Sequence, residues 1–187
     1  MYKVKFYTGD YDDRQKAVNA DKAICYVEHH FNSSSDIKVN STVVVVGSNS
    51  SDISREWGKY YAGKVSKAFK TKLSGTDGIV IGGYNRRGDG NIKYTNMPAI
   101  LLEPLFVSNK EAATIVKSEN GQLKLAEILA DSIRKFFPKG GLVGFSVGHK
   151  YKDNMPLDRG ASIFGGGVEA DYAEKVLLKA KLILEKE

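Results

Sequence analysis

Hydrophobic and polar positions fall into short elements with two different periods. Residues 2–7 (YKVKFY) alternate with period two, which predicts a strand that Gly9 and Asp10 end. Residues 12–22 (DDRQKAVNADK) read as a short helix with Ala17 on its covered side. Residues 23–27 (AICYV) predict a second strand, which runs straight into Glu28, His29 and His30. After a loop at 32–36 (NSSSD), residues 42–46 (TVVVV) are too apolar for an edge and predict a buried strand. Residues 48–52 (SNSSD) lead into a helix over 53–73. Its Trp57, Tyr60, Tyr61, Val65, Ala68 and Phe69 recur at spacings of three and four, so they face the core.

Residues 78–83 (GIVIGG) predict a short strand or turn entry, and 84–91 (YNRRGDGN) a polar loop. The triplet Arg87-Gly88-Asp89 is a weak adhesion signal, because a turn explains Gly88 equally well. The GDG at 88–90 lacks the carboxylate spacing and distal glutamate of a calcium loop. Residues 98–102 (PAILL) predict a strand that ends in Glu103, and Ser108 or Asn109 can cap the next short helix. Residues 123–137 form an amphipathic helix with Leu125, Ile128, Leu129, Ile133 and Phe136 inward, stopped by Pro138, Gly140 and Gly141. The apolar run 142–147 ends at Gly148 and His149. A Gly-rich loop follows, and Glu169 opens a long amphipathic helix.

Strands thus alternate with helices from end to end. The pattern predicts one α/β domain over residues 1–187, with a twisted, mostly parallel or mixed sheet and helices on both faces. Twenty-eight basic against twenty-two acidic side chains give a formal charge of +6, which favours an anionic partner: nucleic acid, an anionic membrane or a polyanionic cell wall. Nucleic acid is the weakest of these, since no basic-aromatic recognition pattern accompanies the charge. The single Cys25 excludes a disulfide framework and a cysteine metal cluster. The chain shows neither an apolar run long enough to span a membrane nor a signal-peptide pattern.

Three apolar runs end in ionisable residues: one in Glu28 and the two adjacent histidines, one in Glu103, and one in His149. In a parallel sheet these C-terminal ends share the edge where open α/β folds place their ligands. A carboxylate directly after an apolar run is costly to bury without a purpose. His29 and His30 point to opposite sides if strand geometry holds, so only one of them joins a site cleanly. Two histidines and a carboxylate suit zinc with an open fourth position, and Glu103 would then be a base beside the water. A phosphate- or nucleotide-binding fold is the competing reading. Neither GxGxxG nor GxxxxGK[ST] is present, and the GGG at 165–167 precedes a helix without directly following a strand.

Residues 97–115 (MPAILLEPLFVSNKEAATI) resemble the closing motif of zinc-dependent N-acetylmuramoyl-L-alanine amidases of the amidase-3 type, found in autolysins and phage endolysins. The resemblance makes Glu103 the catalytic glutamate, followed by Phe106, Ser108 and Asn109. Residues 13–35 resemble the family segment in which Arg14, Asn19 and Asp21 lead to a strand ending His-x-Asn, here His30 and Asn32, and this register selects His30 over His29. The family's first motif is a strand ending Gly-His, then a Gly-rich loop and a metal-binding glutamate. It is absent from the N-terminus and is matched instead by His149 and Glu169. The chain therefore resembles a circular permutant of the family. Pro104 stands where the family usually has a small residue, and His29 where it has an apolar or small one.

The resemblance implies one zinc on His30, His149 and Glu169, with Glu103 as the base that activates water. The implied reaction is hydrolysis of the amide between the lactyl group of N-acetylmuramic acid and L-alanine in peptidoglycan. The implied setting is the bacterial cell wall, reached without a leader of the chain's own, by a monomer. The alternative is a catalytically inactive basic α/β module that binds cell wall or another polyanion.

Overall fold

The computed structural model describes residues 1–186. In chain order the elements are β1 (Tyr2–Phe6), α1 (Tyr11–Ala20), β2 (Cys25–His29), β3 (Ser41–Val46), α2 (Asp52–Phe69), β4 (Lys72–Leu73), β5 (Ile79–Ile81), α3 (Asp89–Ile92), β6 (Ala99–Glu103), α4 (Lys110–Lys117), α5 (Glu119–Phe136), β7 (Gly141–Val147) and α6 (Glu169–Glu185). A 3-10 turn, Tyr84–Arg86, precedes α3.

The strands form one sheet in the order β1-β7-β2-β6-β3-β4, with β5 also on β3. Strands β1, β7, β2 and β6 are mutually parallel, whereas β3 runs antiparallel to β6. The sheet is therefore mixed, because the connection at residues 30–40 returns the chain along β6 in the opposite direction. The last strand in sequence, β7, lies between β1 and β2. Residues 42–46 lie inside β3, which has β6 on one side and β4 and β5 on the other, so this strand is interior as its composition predicts.

Alternation along β2 separates two cores. Cys25 and Val27 pack with Phe145 of β7 and with Trp57, Leu129 and Leu177 from α2, α5 and α6. Tyr26 points the other way, against Val18 of α1 and Ile92 of α3. The first face is the thicker one. Trp57 is fully buried there and donates from its indole nitrogen to Ser132 Oγ at 2.9 Å, which removes the cost of an unpaired N–H in an apolar layer.

Several local expectations shift. On α1 the buried residues are Arg14, Gln15 and Val18, and Ala17 faces solvent. A polar helix covers the sheet here because its side chains satisfy backbone groups rather than fill a core. Helix α2 stops at Phe69, since Lys70 adopts the left-handed conformation (φ 55°) and its N–H closes on Ser66. Leu73 then belongs to β4. Helix α5 starts at Glu119, earlier than its apolar spacing indicates, because Ser118 caps it. Asn109, not Ser108, caps α4, accepting from the N–H groups of Glu111 and Ala112. In the loop at 84–91, Asp89 is buried and accepts from the N–H and hydroxyl of Ser48 at 2.8 and 3.1 Å. The aspartate of the Arg-Gly-Asp triplet is thus committed to the fold.

Leu129 is fully buried between the helical layer and the sheet, and Asn109 is a surface cap. Leu129→Ala is expected to cost about 2–5 kcal/mol and Asn109→Ala about 1 kcal/mol, read from urea midpoints at an unchanged m-value. A larger loss at Asn109 would contradict this division of the core.

Candidate metal centre

The register of the central strands sets the site. His29 of β2 is level with Leu102 of β6 and with Val147 of β7. The next residues, His30, Glu103 and Gly148, therefore leave the sheet together at one edge. Pairing continues one step further, as His30 N–H donates to Leu102 O at 2.8 Å and Gly148 N–H to His29 O at 2.9 Å. The chain then turns sharply at His149, whose φ is +63°. Glu169 opens α6 and is anchored by the 161 backbone: its N–H donates to Ala161 O at 2.9 Å, and its Oε2 accepts from Ala161 N–H at 2.8 Å.

One ligand atom each from His30, His149 and Glu169 lies within 4.8 Å of the others. His30 Nδ1 and His149 Nε2 both stand 3.3 Å from Glu169 Oε1. The remaining nitrogen of His149, Nδ1, faces the Asp158 carboxylate at 2.9 and 3.0 Å, and His30 Nε2 lies 2.8 Å from Glu28 Oε1. His30 and Glu169 are buried, whereas 30% of the His149 side chain is exposed, so access comes from that side. Burial alone would lower the His30 pKa, but the carboxylates of Glu169 and Glu28 outweigh it and hold the ring at about 10. Asp158 is partly desolvated, yet Lys152, His149 and the N–H of Gly160 keep its carboxyl below the usual range.

Glu103 shares with these residues a cleft of about 620 Å³, lined also by Tyr11, Asn32 and Asn91. Asn32 donates to Glu103 Oε2 at 2.7 Å. Burial raises the Glu103 carboxyl above its ordinary value, the Glu169 charge adds to this, and His30 opposes it.

Two glycines make the constellation possible. A Cβ on Gly148 would stand 2.3 Å from the His30 ring, and one on Gly160 would stand 2.4 Å from the Glu169 side chain and 2.7 Å from the His149 ring. The cradle is thus packed to the backbone around the three donors. Two imidazole nitrogens and one carboxylate oxygen are a donor set for a borderline metal. Bonds of 2.0–2.1 Å in a tetrahedron place neighbouring donors roughly 3.3–3.4 Å apart, against the 3.3 Å from each nitrogen to Glu169 Oε1. The residues fit such an ion.

All four expected site residues meet in the cleft. Asn19 and Asp21 lie elsewhere: Asn19 bonds the backbone of Tyr94 and Asn96, and Asp21 binds Lys5 and the Tyr7 hydroxyl. Arg14 is fully buried and donates to the carbonyls of Gly9, Val147 and Lys150, which brace the turn that carries His149. His29 points to the opposite face, against Phe31, with neither ring nitrogen hydrogen-bonded, and burial lowers its pKa to about 3. Sequence reasoning did not find Asp158, Asn91 or the contact of Glu28 with His30. The spacing Glu28-x-His30, which puts both side chains on one strand face, was the available signal.

The fold is thus an α/β sheet whose parallel edge carries a histidine–histidine–glutamate cluster beside an open cleft, a candidate metal centre. The family model described as N-acetylmuramoyl-L-alanine amidase matches residues 2–135, and the chain belongs to that family. Among solved structures, the chain is similar to the catalytic domain of CwlV, an N-acetylmuramoyl-L-alanine amidase from Bacillus (Paenibacillus) polymyxa var. colistinus. The identity is 25% and the TM-score 0.57, over 69% of this chain and 66% of that one. The fold is also that of an N-acetylmuramoyl-L-alanine amidase from Clostridium difficile 630 (19% identity, TM-score 0.58, 69% and 66% covered). It is likewise that of Ami1 from Mycobacterium smegmatis (18%, TM-score 0.59, 69% and 61% covered). The chain thus spans somewhat less than two thirds of each of these structures. No curated protein matches it in sequence.

Gly148→Ala is expected to weaken divalent-metal binding by roughly tenfold or more, as displacement of a supporting contact does. Secondary structure should be retained, since the clash is with one ring. Chelator competition and circular dichroism on the same sample check this, and unchanged affinity would show that the His30 ring has room to move.

Proposed function

We propose that the chain is a zinc-dependent amidase that hydrolyses the bond between the lactyl group of N-acetylmuramic acid and L-alanine in peptidoglycan. The observation that carries this reading is the meeting of His30, His149 and Glu169 beside Glu103 in one cleft, in a chain of the amidase family. His30 and His149 would supply ring nitrogens and Glu169 a carboxylate oxygen. Zinc bound there supplies Lewis acidity, which lowers the pKa of water and polarises a carbonyl.

The protein's own part is to hold and move protons. Asn32 fixes Glu103 through Oε2, leaving the other oxygen to take a proton from the attacking water. The same carboxyl then delivers that proton to the departing nitrogen of L-alanine. Burial raises the affinity of Glu103 for a proton, which favours its uptake from water. Asp158 holds His149 by Nδ1 and so turns Nε2 toward Glu169 and the cleft. The formal charge of +6 suits residence on an anionic wall. No helix among the described residues is long and apolar enough to cross a membrane.

The order of segments is best explained by circular permutation. The family match ends at residue 135, while β7 and α6 beyond it contribute His149 and Glu169. The end of α6 lies against β1, where Val4 N–H donates to Glu185 Oε1 at 2.8 Å. A chain running 139–187 and then 1–138, with a short glycine linker, is expected to fold, bind zinc and cleave as the native order does. Failure of this rearranged chain to fold would count against the permuted ancestry.

The purified protein is expected to hold one zinc per chain and to release new N-terminal L-alanine from peptidoglycan, both abolished by a chelator. Glu103→Gln should keep the zinc and lose about 10²–10⁴-fold in turnover. Zinc without cleavage of any wall would leave a binding module, and a fully active Glu103→Gln enzyme would remove Glu103 from its role.

A further inference from the structure

Glu28 is a charged side chain with no exposed surface, and the proposed mechanism does not use it. Burying a carboxylate costs several kcal/mol unless donors surround it. Here donors do. Asn91 Nδ2 lies at 2.6 Å, His30 Nε2 at 2.8 Å, the Tyr26 hydroxyl at 3.3 Å and the Arg14 guanidinium at 3.8 Å. These groups come from α1, from β2 and the residue after it, and from α3, so the carboxylate joins three parts of the fold. Stability alone is a poor reason for this arrangement, because an apolar side chain in the same space is often as good.

Asn91, Tyr26 and Arg14 all offer hydrogens, so Glu28 acts as an acceptor, and the contact from His30 Nε2 is then an N–H donating to it. Each ring nitrogen faces a carboxylate oxygen, and an ion bound beside Glu169 would take the place of the hydrogen on Nδ1, 3.3 Å from Glu169 Oε1, leaving the hydrogen that Glu28 holds on Nε2. We propose that Glu28 is a positioning residue for the metal centre, fixing His30 in the Nε2–H tautomer and turning Nδ1 toward the ion. The inference rests on His30 being a zinc ligand, as proposed above.

The same carboxylate reaches the second histidine indirectly. Arg14, beside Glu28, donates to Val147 O and Lys150 O, on either side of Gly148 and His149. Glu28 and Arg14 together therefore set the relative position of the two histidine-bearing chain segments. Asp158 does for His149 what Glu28 does for His30, but through the opposite ring nitrogen. The two imidazoles consequently present different atoms, Nδ1 and Nε2, to one carboxylate oxygen.

Two measurements test this. Zinc affinity by chelator competition is expected to fall 10–100-fold in Glu28→Gln, which keeps the shape and removes the charge. Nitrogen-15 NMR of the zinc-loaded wild-type protein should show His30 carrying its hydrogen on Nε2 and coordinating through Nδ1. A purely structural ion pair with Arg14 would alter melting and leave both readouts unmoved. Coordination through Nε2 in the wild type overturns the proposal even if the variant does not fold. So does a Glu28→Gln protein with wild-type zinc affinity. If the wild type binds no zinc, the failure lies in the metal reading itself, a result distinct from zinc bound without help from Glu28.

Discussion

The parallel register of β7, β2 and β6 is the constraint on which the site depends. His29 is level with both Val147 and Leu102, so the residues that follow each strand emerge side by side. A shift of one residue in either pairing would turn His30 into the opposite core or carry Glu103 away from it, because side chains alternate with period two. The register is in turn held by the apolar side chains below the edge. Val27, Ile100 and Phe145 are fully buried, and slipping any of them by one residue would move it from the thicker core to the other face of the sheet. The chemistry at the edge thus draws its precision from hydrophobic burial beneath it.

Above that edge the balance of forces changes. Glu28, His30 and Glu169 are ionisable groups with little or no solvent contact, and their desolvation must be offset locally. Arg14 and Asn91 provide part of the offset at Glu28, and the Ala161 N–H provides part at Glu169. His30 lies between the two carboxylates. A cation placed among them would meet donors already held in position, so little reorganisation would be required at binding. The two close glycines, Gly148 and Gly160, serve the same end by letting the backbone approach the rings and the carboxylate. Rigidity at the site therefore comes from many short polar contacts, whereas in the sheet it comes from area.

The legible parts of the sequence were those governed by strong periodicity. The run 42–46 announced an interior strand, and the strand ends at Glu103 and His149 announced a site edge. Alternation also put His29 and His30 on opposite faces of β2, while the family register, not the alternation, assigned His30 to the cleft and His29 to the apolar layer. What escaped were features decided by tertiary context. The inward face of α1 carries Arg14 and Gln15, because the groups they satisfy are carbonyls of distant loops that no local pattern records. The early start of α5 depends on Ser118 and on Gly121, where a Cβ would stand 2.0 Å from Ile115 O. Asp158 sits in a loop without periodicity, so its contact with His149 had no signal in the spacing. The antiparallel entry of β3 was likewise invisible, since an apolar run does not carry a direction.

The boundary of the family match has a physical meaning in this topology. Without β7, strand β1 has no sheet partner and β2 loses one of its two neighbours. Residues 2–135 therefore cannot make the observed sheet by themselves, although they are the part matched by the family model. The segment beyond supplies the missing strand, a helix against the thicker core, and two of the three clustered ligand atoms. Fold completion and site completion are thus one event, because β7 delivers His149 only by inserting between β1 and β2. A strand inserted between two others is fixed by hydrogen bonds on both sides, and that is the position from which a ligand can be presented with the least freedom. Where that segment falls in the chain is then secondary, provided that its ends reach β1 and α5 at the surface.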